Sequence, residues 1–358
     1  MLSARKAVQE MHEYHPPLAG RKGLRLDFNE NTDGCSPRVL ARIRGITAEE
    51  LARYPEREPV AAAVAAHLGL PAEQVVLTNG VDEAIHLLCA AYLEPWNEVI
   101  VVTPTFSLYE IFAEATGAKV IRVQCGEDLC FPFEKVLGAV TEATRLIAVA
   151  SPNNPTGGVA SREQLLRIAQ SAPNAALLVD EAYFEFHGKT VLADVGTQPN
   201  LFVARTLSKA YGLAGLRIGM VAGPREQMPM VRRVSSPYSV NAVALLALPD
   251  AMADGEYVAS YVQQVKAGRT RLEHELTQAG IAWWPSEANF VLMKIGKPHH
   301  EFVSAMRQRG ILVRDRSRDP GCSGCVRITL GTAKQTDQLL AALREVIAEL
   351  KLGAEAKA

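Results

Sequence analysis

The sequence predicts an α/β protein: a large domain whose mostly parallel, seven-stranded sheet lies between layers of helix, joined to a smaller α+β domain. From about residue 60 to 225, short apolar runs alternate with helix-period segments, the pattern of βα units whose strands are covered on both faces. After Pro237 the texture changes to long amphipathic segments and then returns to a shorter alternation. The 358 residues also suffice for about two domains at roughly 150 residues each.

The elements follow in order. Strands are expected at Val75–Thr78, Val99–Thr103, Lys119–Val123, Leu146–Ala150, Ala176–Val179 and Leu201–Ala204, with Arg217–Val221 as the seventh. Helices are expected between them at Asp82–Leu93, Ser107–Thr116 and Ser161–Ala169. Two further helices, Val240–Leu248 and Glu256–Gln278, are read as separated by Pro249. The smaller domain is expected from strands at Ala288–Lys294, Ile311–Arg314 and Val326–Leu330 and helices at His299–Arg309 and Thr336–Leu350. This places the large domain at residues 40–252, and the N-terminal arm with the small domain at residues 1–39 and 253–358. Trp283 and Trp284 alternate across a short strand, so at least one ring is expected in the small core.

With 38 Lys and Arg against 39 Asp and Glu, the net charge of −1 is too balanced to attract nucleic acid or an anionic membrane through a bulk field. Six cysteines are too sparse for a disulfide scaffold, no secretory leader pattern opens the chain, and no apolar run approaches the roughly 20 residues that cross a bilayer. The expectation is a cytoplasmic protein with reduced thiols that binds neither nucleic acid nor membrane.

In open parallel sheets, ligands collect beyond the carboxyl ends of the strands. The apolar run Leu177-Leu178-Val179 ends in Asp180-Glu181-Ala182-Tyr183, which sets a carboxylate either as a helix cap or against a ligand cation. The next strand leads into Arg205-Thr206-Leu207-Ser208-Lys209 and on to Arg217. Hydroxyls and arginine there suit a phosphate, and a desolvated lysine suits a Schiff base, although a solvated basic loop has the same composition. Thr78-Asn79-Gly80-Val81-Asp82 offers backbone N–H groups at a helix start, and Ser151 to Gly158 holds Asn154 in a loop shaped by Pro and Gly. Together these groups ask for a ligand with a phosphate, a carbonyl, a ring nitrogen and a ring oxygen, which describes pyridoxal 5′-phosphate.

On these residues the chain resembles the fold-type I aminotransferases of class I/II and, within them, the histidinol-phosphate aminotransferase family. Further fragments carry the likeness: Asn29-Glu30-Asn31, Arg53-Tyr54-Pro55, Pro104-Thr105-Phe106, Gly215-Leu216-Arg217, Ser286 to Phe290 and Val326-Arg327-Ile328-Thr329. The resemblance implies that Lys209 carries the covalent link, Asp180 faces the pyridine nitrogen, and Asn154 and Tyr183 hold the ring oxygen. It assigns the cofactor phosphate to Val81, Asp82, Thr206, Ser208 and Arg217, and stacking on the ring to Phe106. It also implies a homodimer in which Tyr54 reaches the neighbouring cofactor, and substrate contacts from Arg327, Arg314, Tyr14 and Asn29. Arg314 has a second reading, a surface ion pair with Asp315 or Asp319. The implied reaction is exchange of an amino group between histidinol phosphate and 2-oxoglutarate. Alternatives are an aromatic amino acid aminotransferase, an amino-acid-phosphate decarboxylase, and the effector-binding part of a transcription regulator. No metal is expected: Cys322-Ser323-Gly324-Cys325 has no second ligand pair, His12-x-x-His15 has no partner carboxylates, and His299-His300 reads as solvent-facing.

Overall fold

The computed structural model describes residues 2–11 and 13–353. His12 and the tail beyond Gly353 lie outside the described residues. Strands among those described are β1 Leu24–Arg25, β2 Val75–Thr78, β3 Glu98–Thr103, β4 Lys119–Gln124, β5 Thr144–Ala150, β6 Ala176–Asp180, β7 Leu201–Thr206, β8 Gly219–Ala222, β9 Ala282–Trp284, β10 Phe290–Lys294, β11 Ile311–Leu312, β12 Arg314–Asp315 and β13 Cys325–Thr329. A seven-stranded sheet runs in the order β2-β8-β7-β6-β5-β3-β4, and β8 is antiparallel to both of its neighbours while the other pairs are parallel.

Both faces of this sheet are buried, and period-two alternation divides each strand between two cores. Ile147, Val149, Leu177, Val179, Leu201 and Val203 enter one core, whereas Leu146, Ala148, Leu178, Phe202 and Ala204 enter the other. The four-stranded antiparallel sheet β12-β13-β10-β9 packs into a third core with the helices Gly255–Gln278, His299–Gln308 and Ala333–Glu349. The arm is stitched to this part by β1, which pairs in parallel with β11.

Several expectations change. Pro249 does not divide two helices but lies inside Ala242–Ala253; packing of Leu245, Leu248 and Ala251 outweighs the lost backbone bond, and the break falls at Asp254. Arg217 lies outside β8 because its φ of +54° turns the chain before the strand starts at Gly219. Ile311–Arg314 is two strands in two sheets, since Ile311–Leu312 turns to the arm and Arg314–Asp315 to β13. The last helix starts earlier than expected, at Ala333, because Thr332 and Gln335 form a capping box. Neither tryptophan is fully buried: Trp283 packs against the core of the small sheet and Trp284, on the opposite face, against a core of the large one.

A buried ion pair braces the carboxyl end of β6. Glu181 accepts bonds from Arg205 Nη2 at 2.8 Å, from the Thr190 hydroxyl at 2.7 Å and from Val191 N at 2.9 Å. Glu181 is 3% exposed, so its charge has no access to water. Removing one partner of such a pair leaves an uncompensated buried charge. Arg205→Ala is therefore expected to lower stability by about 3–5 kcal/mol in chemical denaturation; a loss below about 1 kcal/mol would show that water solvates Glu181.

Candidate active site

Two lobes of one cleft open beyond the carboxyl ends of β3, β5, β6 and β7. Each measures about 700 Å³ (the inner about 720 Å³, the outer about 690 Å³), and they share Tyr14, Phe28, Phe106, Asn154, Tyr183 and Lys209. The inner lobe reaches Val81, Asp82, Tyr109, Asp180, Thr206, Ser208 and Arg217; the outer reaches Asn29, His300, Arg314, Arg316 and Arg327.

At the floor of the inner lobe, Asp180 ends β6 and is 5% exposed. It accepts hydrogen bonds from the Tyr109 hydroxyl and from Ala182 N, the latter at 2.9 Å. Burial pushes its carboxyl up to about 6 against the pull of those bonds and of the Lys209 charge. Both hydrogen-bond donors are neutral, so among the described residues the buried anion has no bonded counter-cation. Lys209 Nζ donates to the Phe28 carbonyl at 3.2 Å and stands 5.8 Å from the Tyr183 ring centroid.

One end of the inner lobe gathers anion-binding groups. Asn79 precedes the helix Gly80–Tyr92, which puts Val81 and Asp82 in its first turn, where backbone N–H groups have no partner within the helix. Thr206 Oγ1 donates to Ser208 Oγ at 2.9 Å, and Arg217 Nη2 pairs with Asp82 at 2.8 Å. Gly80 has φ of +75°, and a Cβ there would stand 2.7 Å from Arg217 Nη2, so the guanidinium occupies space that only glycine leaves.

The outer lobe is built around Arg327 on β13. It is 4% exposed; Nη2 donates to the Asp27 carbonyl at 2.6 Å, Nη1 donates to the Asn154 side-chain oxygen, and Nε has no partner among the described residues. Burial, with Arg316 and Arg314 nearby, pushes its pKa down to about 9. Among the described residues no carboxylate lies within ion-pair distance of it. The bond to Arg327 takes the Asn154 oxygen and leaves its amide hydrogens for a ligand.

Arg314 lies over the Phe28 ring at 5.1 Å and forms no ion pair among the described residues; Asp319 pairs with Arg316 instead. Asn29 is buried, with φ of +58°, and works as a tie: Nδ2 donates to the Tyr183 hydroxyl at 2.8 Å, and Oδ1 accepts from Thr329 Oγ1 at 3.0 Å. Tyr14 and Phe106 border both lobes. Tyr54 is not in the cleft; it is 81% exposed and its ring lies 4.7 Å from that of Tyr238, itself 66% exposed.

His299 and His300 do not simply face solvent. His299 is half-buried and both rings approach Asp315, because β12 runs beside the start of their helix. Sequence reasoning missed Tyr109, Phe28 and Arg316. Tyr109 had a usable signal, since it follows Phe106 by three residues at a helix start beyond β3, the spacing of neighbours on one helical face. Phe28 contacts Lys209 through its carbonyl, which no side-chain motif announces.

A family model for aminotransferase class I and II matches residues 21–343, so the chain belongs to the class I and II aminotransferases. Within that class it is 35% identical over 349 residues to histidinol-phosphate aminotransferase 1 of a Nostoc species, covering 96% of this chain and 98% of the relative. It is 37% identical to histidinol-phosphate aminotransferase of Roseiflexus castenholzii, covering 92% of each chain. The fold matches histidinol-phosphate aminotransferase from Sinorhizobium meliloti, solved in complex with pyridoxal-5′-phosphate, with TM-score 0.86 and 26% identity over 96% of this chain and 97% of that one.

The raised Asp180 carboxyl has a stability consequence in cofactor-free protein. Because its folded value exceeds its unfolded one, the contribution is fully present below the unfolded value and is lost as pH rises through about 6. Asp180→Asn keeps an acceptor for Tyr109 and removes the charge. It should raise the melting temperature of cofactor-free protein, with a gain that begins at about pH 4, grows as pH rises through about 6 and levels off above about pH 7, toward roughly 3 kcal/mol. A gain independent of pH would mean that Asp180 titrates normally.

Proposed function

We propose that the chain is a pyridoxal 5′-phosphate-dependent transaminase that exchanges an amino group between histidinol phosphate and 2-oxoglutarate, giving imidazole-acetol phosphate and glutamate. One observation carries the reading: a buried carboxylate without a counter-cation and a buried guanidinium without a counter-anion border one cleft, with Lys209 between them in the wall they share. The names of the relatives at 35–37% identity support the substrate.

The residues fit the cofactor. Asp180 lacks the cation that a protonated pyridine nitrogen provides, and the free N–H groups of Val81 and Asp82, with Thr206, Ser208 and Arg217, suit a phosphate. Asn154 and Tyr183 would hold the ring oxygen, and Phe106 would cover the ring. When bound, pyridoxal 5′-phosphate supplies the carbonyl that exchanges amino groups and the ring that takes up electrons from the broken Cα bond.

The chain's own residues then bind, orient and move protons. Lys209 Nζ would make the covalent link to the cofactor and, when free, would take the substrate Cα proton as general base. Arg327 holds a substrate anion; its planar fork suits a carboxylate or a phosphate, so one pocket accepts both partners in turn. Arg314 and Tyr14 extend that contact at the rim, and Asn29 positions Tyr183.

We further infer a homodimer. The exposed Tyr54–Tyr238 pair offers apolar surface whose partner is a second copy, with Tyr54 given to the neighbouring cleft. Sedimentation should read two chains; a monomer at assay concentration overturns this. The large unit is taken as residues 40–252, and the small one as residues 253–358 with the arm.

A substrate panel on purified protein with added cofactor tests the reaction. The highest kcat/KM is expected for histidinol phosphate; a preference for phenylalanine assigns an aromatic aminotransferase, and release of carbon dioxide a decarboxylase. Lys209→Ala should lose both the visible absorbance of the lysine-linked cofactor and nearly all turnover. Arg327→Ala should raise KM for both partners, by the ~10–100-fold that 1.4–2.8 kcal/mol of a charge-assisted contact represents, while leaving the cofactor spectrum intact. Unchanged KM for both would remove Arg327 from the substrate pocket.

A further inference from the structure

At the rim of the outer lobe, His299 and His300 open the helix His299–Gln308, and Asp315 faces them from β12. Their Nδ1 atoms lie 3.2 and 3.3 Å from the same Asp315 oxygen, Oδ2, and one ligand atom from each residue falls within 4.8 Å of the other two. The second oxygen, Oδ1, accepts from Ser317 N at 2.8 Å, which fixes the carboxylate plane. Neither nearby arginine claims Asp315: Arg316 is paired with Asp319, and Arg314 lies over Phe28.

We propose that His299, His300 and Asp315 form a binding site for a zinc-class divalent cation, a function separate from the transamination. Zinc bonds of about 2.0–2.1 Å at tetrahedral angles separate ligand atoms by about 3.3–3.4 Å. The two imidazole–carboxylate separations therefore already match tetrahedral edges. Two neutral imidazoles and one carboxylate are a ligand set of this cation class, and three protein ligands leave a fourth position for water or an anionic oxygen. The His300 side chain is 73% exposed and free to turn, so the remaining edge closes without disturbing the core. Ser317 N supplies the outer contact that orients a ligating carboxylate. His300, Asp315, Arg314 and Arg316 all line the outer lobe, which puts the site at the rim of the proposed substrate pocket.

The test uses holoenzyme stripped with EDTA, dialysed and titrated with cobalt(II). One equivalent should give the visible ligand-field bands of a four-coordinate ion, and zinc should displace it. His300→Gln and Asp315→Asn should each weaken binding by at least the ~10–100-fold that even an outer-shell change costs. His300→Gln alters an exposed side chain, and unchanged circular dichroism confirms its fold. Absence of the bands, or bands retained in both variants, overturns the proposal. A thiolate-to-cobalt charge-transfer band would also overturn it, by assigning the ion to Cys322 and Cys325.

Discussion

Two buried charges that the chain does not neutralise set the terms for the rest of the molecule. Asp180 is a carboxylate enclosed at the end of β6 with two neutral donors, and Arg327 is a guanidinium enclosed on β13 with two neutral acceptors. Each costs stability when left alone, because water is excluded and no ion of opposite sign is bonded. Their separation into two lobes keeps them from neutralising each other, so both remain available to a ligand.

Holding such charges apart requires a stiff frame. The Glu181–Arg205–Thr190 cluster braces the residue next to Asp180, and Tyr109 reaches across from the helix after β3. Arg327 is clamped between the arm, through the Asp27 carbonyl, and the loop after β5, through Asn154. Asn29 ties Tyr183 to Thr329, joining the arm, the large sheet and the small sheet in one buried network. Gly157 belongs to the same frame: its φ of +76° and the space that a Cβ would contest with Ser286 Oγ let that loop touch the turn between β9 and β10. Buried polar networks of this kind rigidify the site they surround.

Much of this was legible because its causes are local. Continuous apolar runs, buried on both faces, mark β5, β6 and β7, and residues at or just past their ends, Asn154, Asp180 and Lys209, fall where parallel sheets collect ligands. What escaped has non-local causes. Pro249 reads as a helix break, yet the helix Ala242–Ala253 continues through it because its flanks are buried. The strand β1 is too short to announce itself and exists because β11 stands beside it. Phe28 contributes a backbone carbonyl, Tyr109 meets Asp180 from 71 residues away, and Asp315 meets His299 and His300 only through the turn into β12.

By itself the sequence determined the α/β class, the strands of the large sheet, and a set of candidate site residues, since hydrophobic pattern and side-chain type are properties of short segments. Tertiary structure decided which of those residues share a cleft and in what state of charge. Burial raises Asp180 and lowers Arg327, and it arises from packing between segments distant in sequence: Tyr109 lies 71 residues from Asp180, and Asp27 lies 300 from Arg327. The same packing leaves Tyr54 on the surface with Tyr238, and turns the adjacent imidazoles His299 and His300 toward one carboxylate oxygen.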